Sequence, residues 1–253
     1  MELKTTHSYR VEGRLTSGPS SFEKLYSIYE NFQNSDPKRI LLDFSQVQWM
    51  DANLCAVLDS IIFVLNRDFG HLFFINKNQI KGKFDIFQRN GFLKSTDSSE
   101  YLIDNHDTSI RMTRFTCDSD GEFYEYIGDQ LFGHRAFSEI PNIKSELLEH
   151  FLEIFANIQT HAQTKGPVFA CGQYYPKNKV LKFTLVDIGV GFFEPIAEFT
   201  RGKVKTVDEA ILWALAERNS TKPDAPGGLG LTSLKNYCDK KGHIFRIVTN
   251  GKC

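Results

Sequence analysis

Two polar side chains four residues apart, Glu153 and Asn157, have the types and spacing needed for chemistry on a phosphate. They fall in "NIKSELLEHFLEIFANIQTHAQ" (142–163), whose apolar residues recur at helical spacing, so both would lie on one face of a helix. An amide oxygen suits Mg²⁺, and a carboxylate can orient or deprotonate a nucleophile in phosphoryl transfer. The solvated face of an ordinary helix carries the same residue types, so the pair alone leaves both interpretations open.

A second candidate is Asp187 in "DIGVGF" (187–192), at the end of a predicted strand. Its carboxylate can accept a hydrogen bond from an adenine amino group, and the glycines that follow, Gly189 and Gly191, let backbone approach a ligand closely. A strand that simply leaves the sheet through a glycine turn has the same pattern. This stretch alone therefore does not decide between a site and a turn.

A third candidate, "GGLGLTSL" (227–234), puts Gly227, Gly228 and Gly230 directly before a predicted helix. Exposed amides at a helix start bind phosphate through hydrogen bonds and the helix dipole. A plain helix entry loop explains the glycines equally well. The chain has no complete P-loop, dinucleotide fingerprint or GxSxG motif, so those phosphate and nucleophile sites are not predicted.

Alternating strands and helices organise the amino-terminal half. Apolar runs predict a buried parallel strand at 39–44 and another strand at 70–76. Helical spacing predicts helices at 21–32, 53–68 and 80–92. The polar stretch 94–108 holds no periodic element, and we place a domain boundary there.

The carboxy-terminal half starts with a predicted strand at 109–117 and continues with a short helix at 121–133 and the long helix at 142–163. Antiparallel strands are predicted at 167–175 and 179–189. Helices at 207–219 and 230–242 and a final strand at 243–248 complete the pattern. The three candidate stretches therefore all lie in this half.

Composition narrows the class of protein. The 253 residues carry 30 basic and 31 acidic side chains, a formal charge of −1, so no net field attracts nucleic acid or an anionic membrane. Five scattered cysteines without a CxxC pair predict reduced thiols rather than disulfides or zinc. The amino terminus lacks the apolar core of a signal peptide, and the longest apolar run, 56–65, is too short to span a bilayer. We expect a cytoplasmic protein without membrane contact.

Taken together, "ELLEHFLEIFANIQTHA", "VDIGVGF" and "GGLGLTSL" resemble, in type and order, the nucleotide-binding boxes of the GHKL (Bergerat-fold) ATPases. The resemblance implies ATP and Mg²⁺ as cofactors, with Asn157 as the Mg²⁺ ligand and Glu153 as the general base. It also implies that Asp187 receives the adenine amino group. The remaining nucleotide contacts that it implies are Gly189, Gly191, Gly228, Gly230 and Leu231, with Ser220, Thr221 and Lys222 in a mobile lid at about 193–226.

The amino-terminal stretch "RILLDFSQVQWMDANLCAVLDSIIFVLNRDFGHLFFIN" resembles the STAS domain of anti-sigma antagonists. In that family the loop after the strand commonly carries a phosphorylatable serine. The matching residues here are Asp51, Ala52, Asn53 and Leu54, so the resemblance implies an interaction module without that phosphorylation step. It implies a protein partner for this half.

We therefore expect a fold of the α/β and α+β classes, with a STAS-like α/β domain at 1–105 and a Bergerat-fold α/β sandwich at 106–253. The expected function is binding of Mg-ATP, with hydrolysis or transfer of the γ-phosphate to a protein partner under control of the STAS-like module. A non-catalytic ATP-gated interaction switch or scaffold is the alternative. The sequence leaves open whether the protein is an enzyme, and whether it forms a homodimer.

Overall fold

A computed structural model describes residues 7–93, 104–137, 141–216, 219 and 230–249. The chain divides into two compact units that interleave along the sequence. The first unit comprises Met1–Arg114, His134–Ala136 and Val168–Val186, and the second comprises the remaining segments. Both contain helices, and the two sheets make the fold a mixed α/β one, as predicted.

A three-stranded parallel sheet forms part of the first unit. Its strands are β1 (His7–Leu15), β2 (Arg39–Met50) and β3 (Leu72–Ile75), in the order β1-β2-β3. The predictions of a parallel strand from residue 39 and of a strand within 70–76 are confirmed. Strand β1 was not predicted, because its mostly exposed polar residues give no apolar run.

Helices α1 (Pro19–Phe32) and α2 (Cys55–Phe69) form where helical spacing of apolar residues predicts them, and they pack against each other. Gly70 ends α2 with a left-handed φ of 70°, a conformation that glycine adopts without strain. The single helix predicted at 80–92 is wrong. Two one-turn helices, α3 (Lys77–Ile80) and α4 (Ile86–Arg89), form instead, because Gly82 between them has a φ of +75°.

The second sheet contains β4 (Ser109–Phe115), β5 (Val168–Tyr175) and β6 (Val180–Val186), in that order. Strands β5 and β6 are antiparallel, as predicted. The domain boundary expected between residues 105 and 106 stays a prediction. Residues 94–103, just before it, lie outside the described ranges, and β5 and β6 group with the first compact unit.

The loop between β2 and α2 is buried within the first unit. Asp51 is 1% exposed, and the turn Ala52–Leu54 that follows it is buried throughout. The Asn53 amide donates to the Thr184 hydroxyl on β6 at 2.8 Å, and the Ala52 amide donates to Gln173 Oε1 on β5 at 3.3 Å. The loop is therefore held by the second sheet.

Helices dominate the second unit. They are α5 (Asp120–Tyr126), which continues as one wide turn over Ile127–Phe132, α6 (Pro141–His161), α7 (Phe193–Phe199), α8 (Val207–Leu215) and α9 (Gly230–Lys241). All but α7 were predicted. The core stacks Phe123 of α5 on Phe155 of α6, with ring centroids 4.3 Å apart.

The strand predicted at 243–248 is wrong. Residues 243–248 form no ladder with another described strand, and Ile244 in this segment is 77% exposed. Alternating apolar residues favour a strand only when a partner strand accepts their backbone hydrogen bonds. Within the described ranges, no helix has both the length and the apolar character needed to cross a membrane.

Candidate functional site

Helix α6 carries Glu153 and Asn157 on one face, as predicted. Phe155 on the opposite face is 1% exposed and fixes the rotation of the helix. Glu153 is exposed and Asn157 is half-buried. Neither side chain forms a hydrogen bond or an ion pair with the residues that the structure describes. Their polar atoms therefore remain able to bind a ligand.

The start of α9 lies directly on Glu153. A Cβ atom placed on Gly230 would come within 2.1 Å of the carboxyl carbon of Glu153 and 2.2 Å of its Oε1. Only a glycine allows the backbone of α9 to come this close to the carboxylate. Residues 153 and 230, distant in sequence, are thus neighbours in the structure.

We expect Gly230→Ala to displace the Glu153 side chain while leaving the fold intact. The added methyl overlaps the far end of a flexible, exposed side chain, and alanine favours a helix over glycine by up to about 1 kcal/mol. The melting temperature of Gly230→Ala should therefore not fall. Its nucleotide affinity or its turnover rate should be lower than in the wild type. Gly121→Ala is the matched control, because a Cβ at this helical glycine in α5 meets no atom within 4 Å. Equal behaviour of the two variants would contradict the role of Gly230.

Ala162, the residue that follows α6, contacts the glycine turn after Asp187. The backbone amide of Gly189 donates to Asp187 Oδ1 at 2.8 Å, and that of Val190 donates to the Ala162 carbonyl at 3.0 Å. A Cβ on Gly189 would lie 2.3 Å from the Ala162 carbonyl oxygen, so this position requires glycine. Gly191 has a left-handed φ of 70°. The glycine turn after β6 is thereby locked onto the end of α6.

Burial raises the pKa of the Asp187 carboxyl, and the hydrogen bond from the Gly189 amide opposes that increase. One of its oxygens accepts this backbone amide. The other has no described hydrogen-bond donor. A half-buried carboxylate with a vacant oxygen is suited to accept a hydrogen bond from a ligand donor.

Cys117 belongs to the surroundings of Asp187, and sequence reasoning missed it. Its thiol pKa is raised first by burial and then by the charges of Asp187 and Asp118. The sulfur donates to the Gly166 carbonyl at 3.2 Å, and Gln159 of α6 donates to the Cys117 carbonyl at 2.6 Å. A single cysteine after a strand carries no pattern, so nothing in the sequence could have identified it.

Several residues predicted to contact the nucleotide take no part in the contacts around Glu153 and Asp187. Leu231 is the second residue of α9 and is half-buried. The predicted contacts Ser220, Thr221, Lys222 and Gly228 lie outside the described residues. Across the described part of the chain, no three His, Cys, Asp or Glu side chains group closely enough to hold a metal ion. A cation at Asn157 could take phosphate oxygens and water as further ligands.

The candidate residues are therefore distributed along the length of α6, with Glu153 and Ala162 on opposite sides of the helix axis. Glu153 with Gly230 marks one end and Ala162 with Gly189 the other, nine residues apart. A helix rises about 1.5 Å per residue, so the two ends are separated by about 13 Å. Asn157 lies between the two ends along the helix.

Comparison with known proteins found no relative of this chain. No protein-family model matches the chain, and no curated protein or solved structure does either. The function of this chain must therefore be argued from its own residues and their geometry.

Proposed function

We propose that the second unit binds Mg-ATP along α6 and either hydrolyses it or transfers its γ-phosphate to a protein partner. The observation that carries this proposal is that three separate motifs meet along one helix: Gly230 lies against Glu153, and the turn of Asp187 and Gly189 is hydrogen-bonded at the end of the same helix. In this reading the chain combines a Bergerat-type nucleotide domain with a STAS-like module.

The Asp187 end fits an adenine ring. The carboxylate oxygen without a described donor accepts the exocyclic amino group, and the Gly189 amide holds the other oxygen in place. The thiol of Cys117, which donates to the carbonyls of Thr164 and Gly166, is close enough to Asp187 for the two groups to interact electrostatically.

The Glu153 end fits the phosphates. Asn157 supplies an amide oxygen as one Mg²⁺ ligand, and the amino terminus of α9 at Gly230 faces this end of the helix with its dipole favouring negative charge. When bound, Mg²⁺ neutralises charge on the phosphate oxygens. Glu153, exposed and without a described partner, takes the proton of an attacking water or partner hydroxyl.

The first unit is proposed as the protein-interaction module. Because the loop from Asp51 to Leu54 is buried against β5 and β6, a protein partner would have to bind another surface of this unit. Control of the nucleotide site would then depend on partner binding elsewhere on the STAS-like half.

Glu153→Gln tests whether the protein is an enzyme. We expect it to keep nucleotide affinity within about threefold and to lose turnover by at least about 100-fold, because only the base is removed. Glu149→Gln, an equally exposed glutamate one turn earlier on α6, is the matched control and should keep turnover. Affinity is measured by calorimetry with Mg²⁺, and turnover by phosphate release and by phosphorylation of added partner.

The rival function is an ATP-gated switch that binds nucleotide without turning it over. It predicts affinity in the wild type and in both glutamate variants, with no turnover in any of them. Absence of nucleotide affinity in the intact wild-type chain would contradict both functions.

A further inference from the structure

A separate cavity of about 240 Å³ lies in the first unit. Residues from β2, from the α3–α4 segment and from β5 line it, and those that matter for chemistry are Trp49, Gly82, Lys83, Asp85, Arg89 and Gln173. None of them belongs to the candidate nucleotide site. The volume is below the range of about 300–1,000 Å³ typical of drug-sized ligands, so it suits a single-ring molecule.

Two cations, Lys83 and Arg89, line the cavity. Arg89 pairs with Asp104, while the oxygen Oδ1 of Asp85 accepts the Gly82 backbone amide at 2.6 Å. The Lys83 ammonium lies 5.3 Å from the centroid of the Phe84 ring, which holds it at the cavity wall. The Lys83 ammonium forms no ion pair with a described residue, so a ligand carboxylate could pair with it.

Donors in this cavity lack acceptors. Arg89 Nε is buried and forms no hydrogen bond among the described residues; its nearest acid, Asp104, is 3.6 Å away. Gln173 uses its oxygen to accept the Ala52 amide, while its NH₂ group has no described acceptor. A polar donor without an acceptor is costly in a partly buried position, and a ligand oxygen at this wall could accept a hydrogen bond from the Gln173 NH₂ group.

Trp49 provides an apolar surface beside these donors. The residue is 39% exposed, and the orientation of its ring is fixed by the hydrogen bond from Nε1 to Asp51 Oδ1 at 2.9 Å. Arg14 lies 5.9 Å from the ring centroid. A ring held in one orientation loses little entropy when an aromatic ligand packs against it.

We propose that this cavity binds a small aromatic carboxylate, a single planar ring bearing one carboxylate group. The ring packs against Trp49, and the carboxylate accepts hydrogen bonds from Arg89 and Gln173 with Lys83 as a second cation. Arginine is the residue best suited to a carboxylate, because its fork matches the two oxygens. The site is independent of the proposed nucleotide function.

Benzoate is the probe, titrated by calorimetry and by the fluorescence of Trp49 in a Trp213→Phe background, which leaves one of the two tryptophans. We expect saturation with a Kd on the order of 1 mM or below, a value that a ligand of about nine non-hydrogen atoms can reach. Benzamide, which lacks the charge, and cyclohexanecarboxylate, which lacks the flat ring, should each bind at least about fivefold more weakly. Phenyl phosphate tests a dianion, which should not bind more tightly than benzoate.

Arg89→Met should weaken the binding of benzoate about tenfold, because a charged hydrogen bond is lost. Lys83→Met should weaken it about threefold. Arg10→Met is the matched control and should change nothing, because Arg10 is 66% exposed on β1 and does not line the cavity. Melting curves establish that each variant is folded. If Arg89→Met does not fold, Lys83→Met still tests the proposal, because Lys83 is exposed. No saturation at tens of millimolar benzoate, equal binding of benzamide, or tighter binding of phenyl phosphate would overturn the proposal.

Discussion

Replacing Asp187 by asparagine is expected to weaken ATP binding roughly 10- to 100-fold without destabilising the protein. The side-chain oxygen of asparagine can still accept the Gly189 amide, so the turn is preserved. The other carboxylate oxygen becomes an NH₂ donor and faces the adenine amino group, which is also a donor. Calorimetry with Mg-ATP and a melting curve on the same sample measure the two effects separately.

In Asp187→Asn, the melting temperature should stay the same or rise while the affinity for ATP falls. Because burial raises the pKa of Asp187 above 3.8, its ionised form is disfavoured in the folded state. Its contribution to stability therefore falls as pH rises from 3.8 through the folded pKa, and above that pKa the full cost is present. Asp187→Asn removes the charge, so the variant should melt no lower than the wild type at pH 7, and any advantage should vanish below pH 3.8.

Asp129→Asn is the matched control for this prediction, since Asp129 is an exposed aspartate of the same unit. It should leave nucleotide affinity unchanged. Unaltered ATP binding in Asp187→Asn would place the nucleotide elsewhere. A melting temperature that falls together with affinity would make Asp187 a structural residue rather than a binding one.

Replacing Asp51 by asparagine is expected to destabilise the first unit by about 3 kcal/mol, the largest stability effect that we predict. The Asp51 carboxylate is 1% exposed and accepts hydrogen bonds from four residues. The donors are Ser17 through its amide and hydroxyl, Trp49, Tyr175, and Lys182 at 2.6 Å. The substitution would turn one acceptor that faces these donors into a donor and leave the Lys182 ammonium without its counter-ion.

The pH dependence of this cluster has the opposite sign to that of Asp187. Burial alone would raise the pKa of Asp51, but the hydrogen bonds from Lys182 and Trp49 outweigh it and hold the pKa below 3.8. Its stabilisation is therefore fully present above pH 3.8 and is lost as pH falls through the folded pKa. The loss of stability in Asp51→Asn should accordingly shrink in acid, as measured by urea unfolding across pH.

Two comparisons sharpen the Asp51 prediction. Asp68→Asn breaks an exposed pair with Arg67 and should cost well under about 1 kcal/mol. Asp51→Asn and Lys182→Met together should cost less than the sum of the single changes, because the second change removes a partner already lost. Additive costs would show that the two side chains do not stabilise each other.

The amino-acid sequence by itself determined most elements and the order of the site motifs. The apolar periodicity of α6, the antiparallel pairing of β5 with β6, and the glycines at 189 and 230 all follow from local patterns. They can be predicted because helix spacing, strand alternation and glycine freedom are properties of neighbouring residues. The ATP, Mg²⁺ and STAS-like assignments stay predictions.

Tertiary structure alone decided which distant residues meet. Strand β1 forms because β2 supplies partners for its backbone hydrogen bonds. Residues 243–248 form no strand because no described strand supplies such partners to them. The burial of Asp51 among donors from distant segments and the approach of Gly230 to Glu153 depend on packing between elements far apart in sequence. Such contacts are set by the sum of many weak packing energies, which no local pattern records.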